Sequence, residues 1–240
     1  MSYHSIKIMV FFGFFVYNES MIVYHGSKKE ISLPKVGGSN PKNDYGPSFY
    51  ATLDLESAKE WACRNGSVGI VNKYSIKKSA FESLKILDLT DKSRWSILNW
   101  VAILMHFRSL DSSFVKSYKA MLEWLEKYYV DVSEYDVVIG FRADDSYFRF
   151  PIRLITNDLS FEMLESVYLL GDLGIQYAFM SGKALKALEF KGVVECDKDF
   201  IGRYFNTVND ATRRFDEILS ESKDPSKTYI MDLVRKDYGK

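Results

Sequence analysis

Cysteine and histidine are both scarce. Two cysteines, Cys63 and Cys196, and three histidines, His4, His25 and His106, stand far apart in 240 residues. No metal-like or redox-like spacing links them, so no metal site can be written. So few thiols are the signature of a cytoplasmic protein with two buried, reduced cysteines. An excess of one charge is also lacking, since 32 Lys+Arg balance 32 Asp+Glu. That balance excludes a strongly basic nucleic-acid binder but leaves room for a local basic patch. Long apolar runs are missing as well. Residues 8–17 (IMVFFGFFVY) are an apolar run of ten, too short to span a membrane as a helix, and no membrane partner is expected. Internal repeats and low-complexity tracts are absent, which excludes disorder and fibrous architectures.

The first twenty residues allow three readings. Translation can begin at Met21; the run can form an extra strand or helix; or it can be a targeting segment. Lys7 before the run imitates a secretory signal, yet no A-x-A-like cleavage site follows.

What is abundant is aromatic: 17 Phe and 16 Tyr. A chain of this length buries most of its apolar surface without staples and fits one elaborated domain. Short extended segments are expected at residues 22–25, 48–52, 68–76, 84–89, 135–141, 174–181 and 192–196. Residues 28–47 carry three prolines and three glycines and read as a long loop. Asp54 is placed to cap a helix over residues 55–64, which Asn65-Gly66 ends. Three-to-four spacing predicts helices over residues 93–107, 113–129, 161–170 and 182–190, and again from Asp199 onward. Residues 143–150 read as a polar loop or short extended piece. Strands mixed with helices, without regular βαβ alternation, make the class α+β.

Three segments place polar and aromatic groups beside glycines. In Tyr24-His25-Gly26-Ser27 a histidine ends a strand, and the glycine lets another molecule approach the backbone. In Tyr45-Gly46-Pro47-Ser48-Phe49-Tyr50 the last tyrosine is followed eleven residues later by Trp61. In Gly174-Ile175-Gln176-Tyr177 a polar side chain interrupts an apolar strand. Singly, each has an ordinary structural explanation: a satisfied histidine, two core aromatics and an edge glutamine.

Together and in this order they resemble the NAD-binding half of the ADP-ribosyltransferase superfamily. The likeness is to its His-Tyr-Glu branch, which holds diphtheria toxin and the poly(ADP-ribose) polymerases. His25-Gly26-Ser27 resembles the first motif of that branch and Phe49-Tyr50-Ala51-Thr52 the second, with Trp61 at the family spacing. Within the superfamily, the order YHGS, YGPSFYAT, LESAKEWA, YDVVIG and LGIQYAFMS is similar to a bacterial family, domain of unknown function 3990. The narrower likeness covers roughly residues 21–195.

The resemblance implies a split-sheet core of short strands over residues 21–197, with a helical insertion at about 93–129 and a helical extension over 198–240. It implies NAD as substrate, with Tyr50 and Trp61 stacking on nicotinamide, a flat cation suited to aromatic faces. It places the nicotinamide amide against Gly26 and the adenosine ribose against His25, with Ser27 assisting. His25, Tyr50 and Gln176 are the implied catalytic positions. Breaking the nicotinamide bond builds positive charge on the ribose, which a carboxylate stabilises. Here the family's glutamate position is Gln176, and losing one such interaction costs about 10²–10³ in rate.

The consequences of Gln176 stay open: a slower enzyme transferring single units, another acid (Glu165, Asp144, Asp145 or Asp172) in its place, or binding without turnover. Ser48 for the usual glycine is a milder departure. Arg142 and the acids after it either face an acceptor or form a solvated loop. The expected activity is mono-ADP-ribosylation of a protein or nucleic-acid acceptor. Its alternative is an NAD- or ADP-ribose-binding module acting through a partner protein. A third reading is an interaction protein whose helices dock another chain. A toxin role, with an antitoxin partner, follows only by analogy with bacterial relatives of that fold.

Overall fold

The structure, a computed structural model, describes residues 19–143, 148–169, 174–220 and 223–239. Its strands in chain order are β1 (Ser20–Ser27), β2 (Phe49–Ala51), β3 (Ile70–Lys77), β4 (Ile86–Asp88), β5 (Val137–Phe141), β6 (Ile175–Phe179) and β7 (Glu189–Glu195). The helices are α1 (Leu55–Cys63), α2 (Lys78–Glu82), α3 (Ile97–Phe107), α4 (Ser112–Ser117), α5 (Lys119–Glu126), α6 (Arg149–Ile155), α7 (Phe161–Leu169), α8 (Gly182–Lys186), α9 (Phe200–Ser220) and α10 (Ile230–Tyr238). The class is α+β. Among the described residues no helix is long and apolar enough to cross a membrane. The run at residues 8–17 lies outside them, while Glu19 and Ser20 already pair with the β3 end, Glu19 accepting from the Lys78 N–H.

Two sheets form. One is antiparallel in the order β1-β3-β7; the other, in the order β2-β6-β5-β4, is antiparallel except for the parallel β4–β5 pair. They meet at one antiparallel bridge, where Tyr24 and Thr52 exchange hydrogen bonds of 2.8 and 2.9 Å. Strand alternation decides what each face buries. Val23, Tyr74 and Ile76 turn inward onto Phe49, Val137, Ile139 and Phe179 of the second sheet. On the opposite face of the first sheet, Tyr24 and Val71 meet Ala58 and Ala62 of α1. The largest core lies between the second sheet and the helices over it, built on Trp100, Leu104, Trp124, Phe150, Leu154 and Ile230.

Several sequence expectations are corrected. Residues 113–129 are two helices, broken at Tyr118 (φ −113°, ψ 24°). Of residues 143–150, read as a polar loop or short extended piece, Phe148 caps α6 and Arg149 and Phe150 begin it; Pro151 is tolerated there because a helix's first turn has no use for its N–H. The helix expected over 182–190 stops at Lys186, and Glu189 and Phe190 begin β7. β7 then bulges at Gly192, which adopts φ +96° and lets β7 carry an extra residue against β3. Asp54 caps α1 as expected, accepting from the Ser57 N–H at 2.6 Å. Cys63 and Cys196 are free, buried and neighbours; burial pushes the Cys196 thiol up to about 12.

Candidate functional site

Where the two sheets part beyond the Tyr24–Thr52 bridge, a cleft of about 870 Å³ opens. His25, Gly26, Ser27, Tyr50, Trp61 and Gln176 all line it, although most of the chain runs between the first and the last. Three strands and one helix supply them: β1, β2, β6 and α1.

His25 alternates inward from β1, and its ring lies 4.5 Å from that of Phe49. Its Nδ1 is 2.6 Å from the Tyr50 carbonyl oxygen. A carbonyl only accepts, so Nδ1 carries the proton. Burial lowers the pKa of His25, keeping the ring neutral, and Nε2 is then an acceptor.

Gly26 alternates the other way, toward α1. A Cβ there would stand 2.1 Å from the Ala58 carbonyl oxygen and 2.8 Å from the Ala62 nitrogen. The glycine is therefore required for α1 to rest on β1, quite apart from any ligand. Tyr24 commits its N–H and C=O to Thr52. Two residues on, the main-chain groups of Gly26 point the same way, to the side that β2 has left and the cleft occupies. The Ser27 hydroxyl donates to the Lys29 carbonyl (2.5 Å) and accepts from Asn72 Nδ2 (2.9 Å).

The Tyr50 hydroxyl donates to the Gly46 carbonyl (2.7 Å) and accepts from the Tyr45 N–H (3.1 Å). Burial holds it firmly as a phenol. Trp61 sits on α1 with Arg64 and Arg142 over its ring, guanidinium carbons 4.0 and 4.8 Å from the centroid, and Tyr204 of α9 edge-on at 6.3 Å. Ser48 is buried, and its N–H donates to Ser39 Oγ at 3.1 Å.

Gln176 faces Gly140 across the β5–β6 pair and is buried. Its Nε2 donates to Asp44 Oδ2 (2.8 Å) and to the Phe141 carbonyl (3.3 Å). Asp44 Oδ2 also accepts from the Ala143 N–H (2.9 Å), and its Oδ1 lies 3.8 Å from Arg108 Nε. Burial pushes the Asp44 carboxyl up to about 6, against the opposing pull of the Ala143 N–H, Arg108, Gln176 and Arg142.

The loop over residues 28–48 is fastened along its length. Asn72, wholly buried in β3, accepts from the Ile31 N–H (2.7 Å) and donates to the Lys29 carbonyl (3.2 Å). The Tyr45 hydroxyl donates to the Phe141 carbonyl (2.8 Å) and accepts from Trp100 Nε1 (3.0 Å). A Cβ on Gly140 would occupy the Tyr45 hydroxyl's place, at 2.1 Å.

Asp44, Asn72 and Arg108 were not singled out from the sequence. Asn72 had a signal, a polar residue in the middle of an apolar strand. Asp44 had none, one carboxylate in a turn-rich loop. Of the acids considered as substitutes, Glu165 lines a separate, smaller cavity with Trp95 and Phe161. Asp144, Asp145 and Asp172 lie outside the described residues.

The electrostatics of the cleft differ from those of the chain. Among the described residues lining it are Lys28, Lys42, Arg64, Arg108 and Arg142, against one carboxylate, Asp44. A neutral protein thus has a cationic cleft with aromatic and neutral hydrogen-bonding groups, suited to an anionic ligand with planar rings.

Residues 21–190 match the model of a family described as a protein of unknown function, DUF3990. The match covers most of the chain, and the chain belongs to that family. No curated protein and no solved structure matches it.

Proposed function

We propose that this DUF3990 protein is an ADP-ribosyltransferase that takes NAD as its substrate, releases nicotinamide and transfers ADP-ribose to a macromolecular acceptor. The observation that carries the reading is the gathering of His25, Gly26, Tyr50, Trp61 and Gln176 around one cationic cleft. Each group offers a different part of NAD what it needs. The basic side chains suit the diphosphate. The neutral His25, through Nε2, accepts from a hydroxyl of the adenosine ribose. The open main chain of Gly26 pairs with the nicotinamide amide. Trp61 offers an aromatic face for the planar nicotinamide cation once the guanidinium groups of Arg64 and Arg142, which lie over its ring, shift toward the diphosphate. Tyr50, tied to the loop by its hydroxyl, offers its ring. Gln176 orients the ribose hydroxyls beside the bond that breaks.

The chemistry asked of the site is limited. The C1′–N bond breaks with its electron pair leaving on neutral nicotinamide. The acceptor's nucleophile bonds to C1′, and its proton passes to solvent. Incubation with NAD labelled in the adenosine moiety tests this reading. Nicotinamide release and labelled acceptor in a cell lysate are expected, both lost in His25→Ala and Tyr50→Ala. One observation favours a second reading, a module that binds NAD without turnover: Gln176 is uncharged. Calorimetric binding of NAD with no nicotinamide release would select it, and no binding at all would overturn both.

A further inference from the structure

We infer that Asp44 and Gln176 act as one unit in place of a single catalytic glutamate, Asp44 supplying the negative charge and Gln176 the contact with the ribose. The inference rests on the reading of the cleft as an NAD site and concerns how that site works without a glutamate on β6.

The geometry of the amide carries it. Both neighbours of Gln176 Nε2, the Asp44 carboxylate and the Phe141 carbonyl, are acceptors. The nitrogen must face them, and Oε1 is the atom left for a ligand's hydroxyl groups. An amide whose nitrogen donates to a buried carboxylate is polarised, and negative charge gathers on its oxygen. Asp44 is itself held from three elements: its own loop, the Ala143 N–H after β5, and Gln176 on β6. The charged and titratable groups that face it are Arg108, Arg142, Tyr45 and Tyr50. Both tyrosines stay protonated, and a guanidinium does not lose its proton in a protein, so Asp44 is the group that titrates. A glutamate at position 176 would instead set a second carboxylate against Asp44. The amide and the loop aspartate are complementary to each other.

Asp44 is thus a positioning residue, and a structural role must be separated from a catalytic one. Nicotinamide release is measured against pH for the native chain, D44N, Q176E and the exchanged pair D44N/Q176E, with calorimetric NAD binding as the measure that each variant folds. Native release should rise as pH passes about 6. D44N should bind NAD yet release nicotinamide about 10²-fold more slowly, with that rise gone. Q176E should keep activity but move the rise to higher pH, because two adjacent carboxylates share one proton. D44N/Q176E returns a single charge to the site and should recover most of the D44N loss. A D44N variant with the native rate and pH profile would overturn the inference, as would an exchanged pair that binds NAD but is no faster than D44N. Those results leave the NAD reading standing. No release by the native chain overturns the transferase reading and this inference with it.

Discussion

Replacing Asp44 with Asn should make the fold more stable at neutral pH than at acid pH, relative to the native chain. The cause is the displacement of the Asp44 carboxyl from its ordinary 3.8 to about 6 by burial. Between those values the native state holds a proton that the unfolded chain has already lost. Stability therefore falls as pH rises through that window and is lowest once Asp44 ionises in the folded protein. A displacement of about two decades in proton affinity is worth about 3 kcal/mol. The amide of the D44N variant has no charge to bury and lacks this cost. Its altered hydrogen bonds with Ala143 and Gln176 add a constant that does not vary with pH. His25 has the opposite slope, since burial lowers its pKa and the contribution is lost as pH falls below its ordinary 6.5. It is present in both proteins and cancels in the difference. Urea denaturation of both, at pH values spanning about 4 to about 7, gives that difference directly. It should grow by about 2 kcal/mol in favour of D44N across the range, most of the full value, because the unfolded carboxyl is already partly ionised at pH 4. A difference that does not change with pH would refute the buried, displaced carboxylate. A charge retained at such a cost is typical of a site kept for function rather than stability.

Three further outcomes are expected. Gly26→Ala should cost about 1–3 kcal/mol in denaturant, because its Cβ meets main-chain atoms of Ala58 and Ala62 that no rotamer change can move; an unaffected fold would show that α1 can ride outward. Asn72→Ala should cost about 1–3 kcal/mol by leaving the Ile31 N–H without its buried partner, while the Lys29 C=O keeps the Ser27 hydroxyl. Hydrogen exchange should quicken at the start of the 28–48 loop and remain slow at Tyr45, which is fastened separately to Phe141. NAD affinity, measured by calorimetry, should weaken as salt rises, because five cationic side chains line the cleft; an affinity indifferent to salt would mean that they do not reach the diphosphate.

Local chemistry made much of this protein legible from its sequence. Alternation located the strands, Asp54 announced the start of α1, and the scarcity of thiols matched two free, buried cysteines. The ordered set from His25 to Gln176 identified the residues that the fold then brings to one cleft. The helix ends were less legible, since Glu189 and Phe190 suit a helix as well as a strand until β3 offers them partners. Only the tertiary structure decided what those residues do to one another. It gave Gly26 a packing duty against α1, and it set two guanidinium groups over Trp61. It also brought Asp44, 132 residues away in the chain, to within 2.8 Å of Gln176. Propensity and spacing act over one or two turns of chain, and a sequence displays them. Burial and charge pairing depend on which distant segments the sheets bring together, and that is settled only when the core closes.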